Sequence, residues 1–364
     1  MRNLDQGLGQ TEFSPESLRE LRIAVVGLGA LGGEAVRYLG LLGIGELRLI
    51  DFDTVEPGNL IYSVLYRENV GHPKCFAAVD AVRRHFPTTL TSAHNTEISG
   101  LGFNALRDVD LILSCVDSDW ARLDIAYVAR QLSLPVCDAG MGSLGDRRGR
   151  VSFFPKAPDS ACYGCLLSSG HRRELLCARD FSSNSCTAET PGNGTTTAPW
   201  PGSPMTASAV AAVQIDHGLR SITKGTRMAY SLRMDFGETP SVERILHQVA
   251  ITCPFHEFPG SRVPAVPGET PRDLLRRSGS QRAILLDWPV CVDCRCGSCG
   301  HRWRPMRRAA TLRRGGICPA CGFSGLQLLE VIEWIGLESP WSATPFLDLG
   351  VPEGHLHLLV EAEW

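Results

Sequence analysis

Two sets of residues in this sequence can carry chemistry. The first is Gly27-Leu28-Gly29-Ala30-Leu31-Gly32, which follows the apolar run LRIAVVG and opens an amphipathic stretch. Glycines at this spacing permit a tight strand-to-helix turn, and the free N–H groups and positive dipole of a helix N-terminus suit a phosphate. Asp51 stands nineteen residues after Gly32, at the end of a second apolar run, where a carboxylate can hydrogen-bond ribose hydroxyls. These residues fit NAD as well as ATP, and a glycine-rich turn without a ligand is the bland alternative. The second set is the cysteine pairs. Cys296-Gly297-Ser298-Cys299 and Cys318-Pro319-Ala320-Cys321 are separated by eighteen residues, a zinc-ribbon spacing that supplies four thiolates. Cys162-Tyr163-Gly164-Cys165 is a further knuckle. Cys291 and Cys294 make another CxxC, ranked behind Cys296 and Cys299 because the knuckle glycines follow the latter pair.

The remaining residues must position these groups. The chain has 364 residues, 43% hydrophobic and 21% charged, an ordinary globular composition with room for two to three domains. Thirty-six Lys and Arg against thirty-nine Asp and Glu give a net charge of -3, which argues against a whole-protein electrostatic grip on nucleic acid. No apolar run reaches the length of a membrane span, and the N-terminus has no apolar signal core. A cytoplasmic protein is therefore expected, and its clustered cysteines read as metal sites rather than disulfides. Of fourteen cysteines, Cys75, Cys115 and Cys137 sit in helix or strand patterns and read as core.

Strand patterns at 21–27, 46–53, 90–98, 108–117 and 134–141 alternate with helix patterns running to about residue 42, then over 73–86 and 119–132. That alternation predicts an α/β fold, a Rossmann-like doubly wound, mostly parallel sheet covered on both faces. Residues 180–204 read as a long crossing loop, followed by a helix over 204–222 and strands over 228–236 and 242–250. The expected organisation is one domain over 1–257, a Pro/Gly-rich linker over 258–290 with a short helix near 270–277, and a zinc-ribbon module with a short β tail over 291–364.

The glycine turn, LIDFDTVEPGNL, VGHPK and LILSCVDS occur in this order, and by them residues 20 to 257 resemble the ThiF/MoeB/HesA family, bacterial relatives of ubiquitin-activating enzymes. The resemblance implies an ATP-dependent adenylyltransferase. It places Gly27, Gly29, Gly32 and Asp51 on ATP, with Asp53 beside the ribose site and Asn59 and Lys74 at the phosphates. It gives Asp117 to Mg²⁺ and to adenylation. Taken alone, Lys74 would be a solvated lysine and Asp117 a helix N-cap. The sequence departs from the family in three places: Tyr62 replaces an arginine, Ser118 replaces an asparagine, and the N-terminal arginine segment is absent, leaving Arg2, Arg19 and Arg22 as possible substitutes.

The resemblance also implies that Cys253 and His256 close a zinc site with Cys162 and Cys165, so that two structural Zn²⁺ sites are expected. It puts Cys186, in the polar run SSNSCTAETPGNG, near the family's reactive cysteine, with Cys177 a poorer candidate. An exposed thiol in a polar loop is suited to carry an acyl group between sites. The implied substrate is the C-terminal carboxylate of a ubiquitin-like protein in a bacterial conjugation pathway, with a conjugating enzyme as a further partner and a homodimer as the assembly. The alternative is a sulfur-carrier protein for thiamine or molybdopterin synthesis; adenylation of a peptide or a nucleic-acid-linked substrate, an NAD-linked oxidoreductase and a non-catalytic scaffold stand behind these. Seven arginines and no acid between 295 and 314 suggest a dock for an acidic partner or nucleic acid, unless they are a solvated hairpin.

Overall fold

The computed structural model describes residues 13–61, 67–142, 146–179, 203–256, 261–279, 283–351 and 356–360. These form two compact units. The first comprises 13–101, 106–168 and 203–256 of the described chain, and the second comprises 102–105, 169–179 and the described residues from 261 onward.

The first unit is built on eight strands: β1 (Arg22–Val26), β2 (Glu46–Ile50), β3 (Leu90–His94), β4 (Leu111–Ser114), β5 (Val136–Met141), β6 (Arg148–Phe154), β7 (Tyr230–Asp235) and β8 (Ser241–Leu246). Their order is β3-β2-β1-β4-β5-β6-β7-β8, parallel from β3 to β5 and antiparallel from β5 to β8. The central strands are short β-branched and leucine runs buried nearly throughout, as a sheet covered on both faces requires. After a short α1 (Pro15–Glu20), the helices α2 (Ala30–Leu42) and α3 (Lys74–His85) pack together, and α2 also packs on α7 (Pro204–Thr223). Helix α4 (Asp119–Leu132) runs between β4 and β5 and packs beside the short α5 (Tyr163–Leu166). Ile23, Val25, Leu39, Leu47, Leu111 and Phe153 are among the fully buried side chains of this core. The expected strand 90–98 ends at His94; a bend follows and a 3-10 turn starts at Ile98.

In the second unit, α6 (Ser169–Arg179) packs with α9 (Ala309–Gly315). Its sheet contains β9 (Ser261–Pro264), β10 (Ala283–Cys296), β11 (Arg302–Trp303), β12 (Arg307–Arg308), β13 (Leu326–Ile335) and β14 (Leu356–Val360), with α8 (Pro271–Arg277) against β10. Much of the stretch read as linker is therefore ordered structure. Pro264 ends a strand, and Pro271 starts a helix whose N-cap Thr270 makes a reciprocal capping box with Asp273. Leu274, Leu275, Ile284 and Leu286 from this stretch are core residues of the second unit.

Candidate functional site

Strands β1 and β4 are neighbours although β2 and β3 separate them in sequence. The chain departs from them in opposite directions, which opens a crevice at their C-terminal ends, the place where doubly wound sheets take ligands. Gly27 follows β1, Asp51 follows β2, and the loop 115–118 follows β4. Gly27 has φ +85°, and a Cβ there would lie 2.8 Å from the Cys115 carbonyl oxygen. A Cβ on Gly32 would strike the Gly27 carbonyl. The turn is thus closed tightly against the loop after β4. At Gly29 the reverse holds: no atom lies within 4 Å of a Cβ position, and this N-cap of α2 makes no side-chain cap bond. Open space therefore lies beside the N-terminus of α2, and the N–H groups of a helix's first turn suit an anion.

Asp51 is buried, and each carboxylate oxygen already holds a backbone N–H: Oδ2 accepts from Leu28 at 2.6 Å and Oδ1 from Asp53 at 2.7 Å. Burial pushes this carboxyl above its ordinary range against the pull of those two bonds. A carboxylate offers about four acceptor sites, so lone pairs are left for ribose hydroxyls. Lys74 begins α3; its backbone N–H donates to the Asp53 carbonyl and its Nζ donates to Asp53 Oδ2, both at 2.8 Å. Lys74 is 9% exposed, so the reading as a solvated surface lysine does not hold. Asn59 lies in a 3-10 turn over Pro57–Ile61, where its Oδ1 accepts the Glu56 N–H at 2.8 Å.

Asp117 is exposed and has no hydrogen-bond partner among the described residues. The capping job falls to Ser118, whose hydroxyl accepts the Ala121 N–H at 3.3 Å. The cap of α4 is thus Ser118 and not Asp117. Arg22 starts β1, at the end of that strand away from the glycine turn, paired with Glu46 and Asp108; Arg19 lies in the last turn of α1 just before it. Arg2, Tyr62 and Cys186 lie outside the described residues, and Cys177 is in α6.

One group next to the crevice carries little sequence signal. Asp138, 1% exposed in β5, accepts from Ser114 Oγ at 2.7 Å, Arg122 Nε at 3.0 Å and Arg150 Nη2 at 3.1 Å. Arg122 also donates to the Val116 carbonyl at 2.6 Å. Asp119 receives the Tyr163 hydroxyl at 2.6 Å, and burial with that bond raises the Tyr163 phenol to about 12. The sole hint is an acid inside the otherwise apolar run LPVCDAGM.

Cys162, Cys165, Cys253 and His256 bring their ligand atoms within 4.8 Å of one another, as do Cys296, Cys299, Cys318 and Cys321. The sulfur separations of 3.9 Å for Cys162–Cys165, 3.7 Å for Cys162–Cys253, and 3.7 Å for both Cys296–Cys321 and Cys299–Cys318 are informative. Tetrahedral zinc with Zn–S bonds of about 2.3 Å places sulfurs about 3.8 Å apart. Both clusters are therefore able to hold zinc, and four protein ligands leave no open position for water. A Cβ at Gly164 would press on Cys253 Sγ at 3.2 Å, so this knuckle needs its glycine. Thiol donors from Cys162 and Cys253 hold Cys165 well below the ordinary thiol range, while the bond it makes to Cys165 pushes Cys162 up. In the second cluster the N–H groups of Cys299 and Ser298 point at Cys296 Sγ and lower it to about 6.

The other cysteines are placed apart from these sets. Cys75, Cys115 and Cys137 are buried in the first core, as expected. Cys291 and Cys294 are buried in a small cluster with Ala309 and Leu312, outside both metal sets. Several of the arginines after residue 295 are engaged: Arg302 pairs with Asp293, Arg308 stacks on Trp288, and Arg304 lies over Trp341. Among the described residues, no helix is long and apolar enough to cross a membrane.

The chain is 32% identical over 164 residues to the molybdopterin-synthase adenylyltransferase of Salmonella typhimurium, covering 44% of this chain and 65% of that one. It is 30% identical over 156 residues to the adenylyltransferase and sulfurtransferase MOCS3 of Caenorhabditis briggsae, covering 42% and 38%. The chain thus matches less than two thirds of either relative's length. Among solved structures, Escherichia coli MccB with ATP aligns with a TM-score of 0.48 at 18% identity, over 67% of this chain and 68% of that one. The ThiF family profile matches residues 6–346, nearly the whole sequence. The chain is a member of the ThiF family.

Proposed function

We propose that this protein adenylates the C-terminal carboxylate of a small ubiquitin-fold protein, with ATP as co-substrate. The observation that carries the reading is that the Gly27–Gly32 turn, Asp51 and Asp117 follow the C-terminal ends of the adjacent strands β1, β2 and β4, with Lys74 paired to Asp53 beside Asp51. In this reading the glycine turn and the N-terminus of α2 take the phosphates, Asp51 takes the ribose, and Asp53 orients Lys74. Lys74 and Asn59 serve the phosphates. Asp117 fits Mg²⁺, since it is an exposed carboxylate without a partner among the described residues and that ion takes one or two carboxylates beside phosphate and water. Bound there, the ion neutralises charge on the phosphates. A carboxylate oxygen of the substrate attacks the α-phosphorus, the bond to the bridging oxygen breaks, and pyrophosphate leaves with that electron pair. Lys74 offsets the repulsion between the incoming carboxylate and the triphosphate.

The acyl group of the resulting adenylate passes to the Cys186 thiol with loss of AMP, or directly to a downstream acceptor. The appended C-terminal unit favours service in a bacterial ubiquitin-like conjugation pathway, with a conjugating enzyme as partner and a homodimer as the working assembly. The names of the relatives favour the second reading, a sulfur-carrier protein as substrate. An NAD-linked oxidoreductase would leave Asp117 and the Lys74–Asp53 pair without a role. ATP–pyrophosphate exchange with candidate ubiquitin-fold proteins tests the proposal. Exchange in the wild type, lost in Asp117→Ala and retained without thioester in Cys186→Ala, supports both steps. Unchanged thioester in Cys186→Ala removes that residue, and tight NAD binding without exchange overturns adenylation.

A further inference from the structure

We infer that Arg122, anchored by Asp138, is a positioning residue that fixes the loop bearing Asp117 for its metal; the use of Asp117 rests on the adenylation reading. Asp117 has no side-chain bond of its own among the described residues, so its placement depends on the backbone around it. That backbone is pinned on both sides. Before it, the Cys115 N–H donates to the Val26 carbonyl at 2.8 Å, and Gln214 Nε2 donates to the Ser114 carbonyl at 3.1 Å. After it, Ser118 caps α4. Between these anchors the Val116 carbonyl is held by Arg122 Nη2 at 2.6 Å.

Arg122 lies one turn into α4 and reaches back over the start of its own helix. Its Nε is tied to Asp138 and its Nη2 also approaches the Ala139 carbonyl at 3.4 Å. Asp138 and Asp119 face Arg122 and Arg150, two acids against two bases, and Asp138 is almost wholly desolvated. A plain ion pair would need only charge. The planar fork of Arg122 instead holds two separate nitrogens in fixed geometry, Nε on the carboxylate and Nη2 on the loop carbonyl, whereas a lysine has one nitrogen to place. Lysine at this position keeps the charge beside Asp138 and loses the bond to Val116.

The test measures binding of a non-hydrolysable ATP analogue to the full chain by calorimetry, with Mg²⁺ and in Mg²⁺-free buffer. Arg122→Lys, Asp117→Ala and their double variant are compared with wild type. The expected result is a Mg²⁺-dependent gain in affinity in wild type, abolished by Asp117→Ala and weakened about tenfold by Arg122→Lys, the scale set by groups that orient metal ligands. Affinity without Mg²⁺ stays unchanged in Arg122→Lys, and the double variant loses no more than Asp117→Ala. Loss by Arg122→Lys that is equal with and without Mg²⁺, or no loss, overturns the inference and leaves adenylation standing. A wild type indifferent to Mg²⁺ overturns the role of Asp117 and the inference together. If Arg122→Lys does not fold, Asp138→Asn, which removes the charge of the anchor while its amide oxygen can still accept from Ser114 Oγ and Arg122 Nε, is expected to give a smaller Mg²⁺-specific loss, and a loss equal with and without Mg²⁺, or none, overturns the inference.

Discussion

Replacing Lys74 with methionine separates stability from chemistry. The Lys74 side chain is 11% exposed and its partner Asp53 is 53% exposed. Methionine fills most of the lysine stem's volume, and Asp53, once unpaired, is solvated by water. The pair is therefore worth no more than about 1 kcal/mol to the fold, a shift of about 2–4 °C in Tm for a unit of this size. The chemical cost is larger. A unit charge about 4 Å from a phosphate contributes about 4 kcal/mol at an effective dielectric near 20, and Asp53 offsets part of it. The expected loss in pyrophosphate exchange is about 10²- to 10³-fold, the range seen when one charge-stabilising group is removed. Exchange at a fixed ubiquitin-fold substrate and a thermal melt on the same preparation give the two numbers. Exchange close to wild type would refute the role of Lys74. A large fall in Tm matching the loss of activity would show that the lysine holds the fold instead.

Other substitutions and conditions discriminate as sharply. Gly32→Ala drives a methyl into the Gly27 carbonyl and is expected to cost about 1–3 kcal/mol in urea unfolding, whereas Gly29→Ala points into open space and should cost under about 1 kcal/mol, the penalty of alanine at an N-cap, while weakening ATP-analogue binding in calorimetry. Metal analysis of the purified chain should find two zinc ions, falling to one in Cys318→Ser, with hydrogen exchange rising in the second unit alone. Burial holds His94, His217 and His247 below their ordinary value of 6.5. Their stabilising contribution is present above that value and is lost as pH falls through their lower folded values. Urea midpoints should therefore decline below about pH 6.5, and His217→Gln should flatten the slope.

Much of the first unit is legible in its sequence because local and tertiary preferences agree there. The apolar run before Gly27 is β1, and DWARLDIAYVARQL forms α4 over all fourteen residues. The second unit reads less well. Strand β10 lacks alternation because its register shifts between Leu285 and Val290, where Pro289 cannot donate to a ladder, and twice more between Cys291 and Cys294. Its prolines and glycines look like linker punctuation but mark strand ends and helix starts. Individual residues divide along the same line. The glycine turn, Asp51 and the cysteine pairs show through spacing, since their chemistry needs fixed separations along the chain. Asp138, Arg122 and Arg150 do not, because a buried ion network is assembled across a helix and two strands. The arginines after residue 295 look like an open basic face, yet Asp293, Trp288 and Trp341 engage three of them.

The most direct measurement follows the α-phosphate. Incubation of the full chain and a ubiquitin-fold protein with ATP labelled at the α-phosphorus should place label on that protein's C-terminus, released by hydroxylamine and absent in Asp117→Ala. ATP labelled at the γ-phosphorus should leave the protein unlabelled. Transfer of the γ-label, or no transfer of the α-label to any ubiquitin-fold protein, would contradict adenylation.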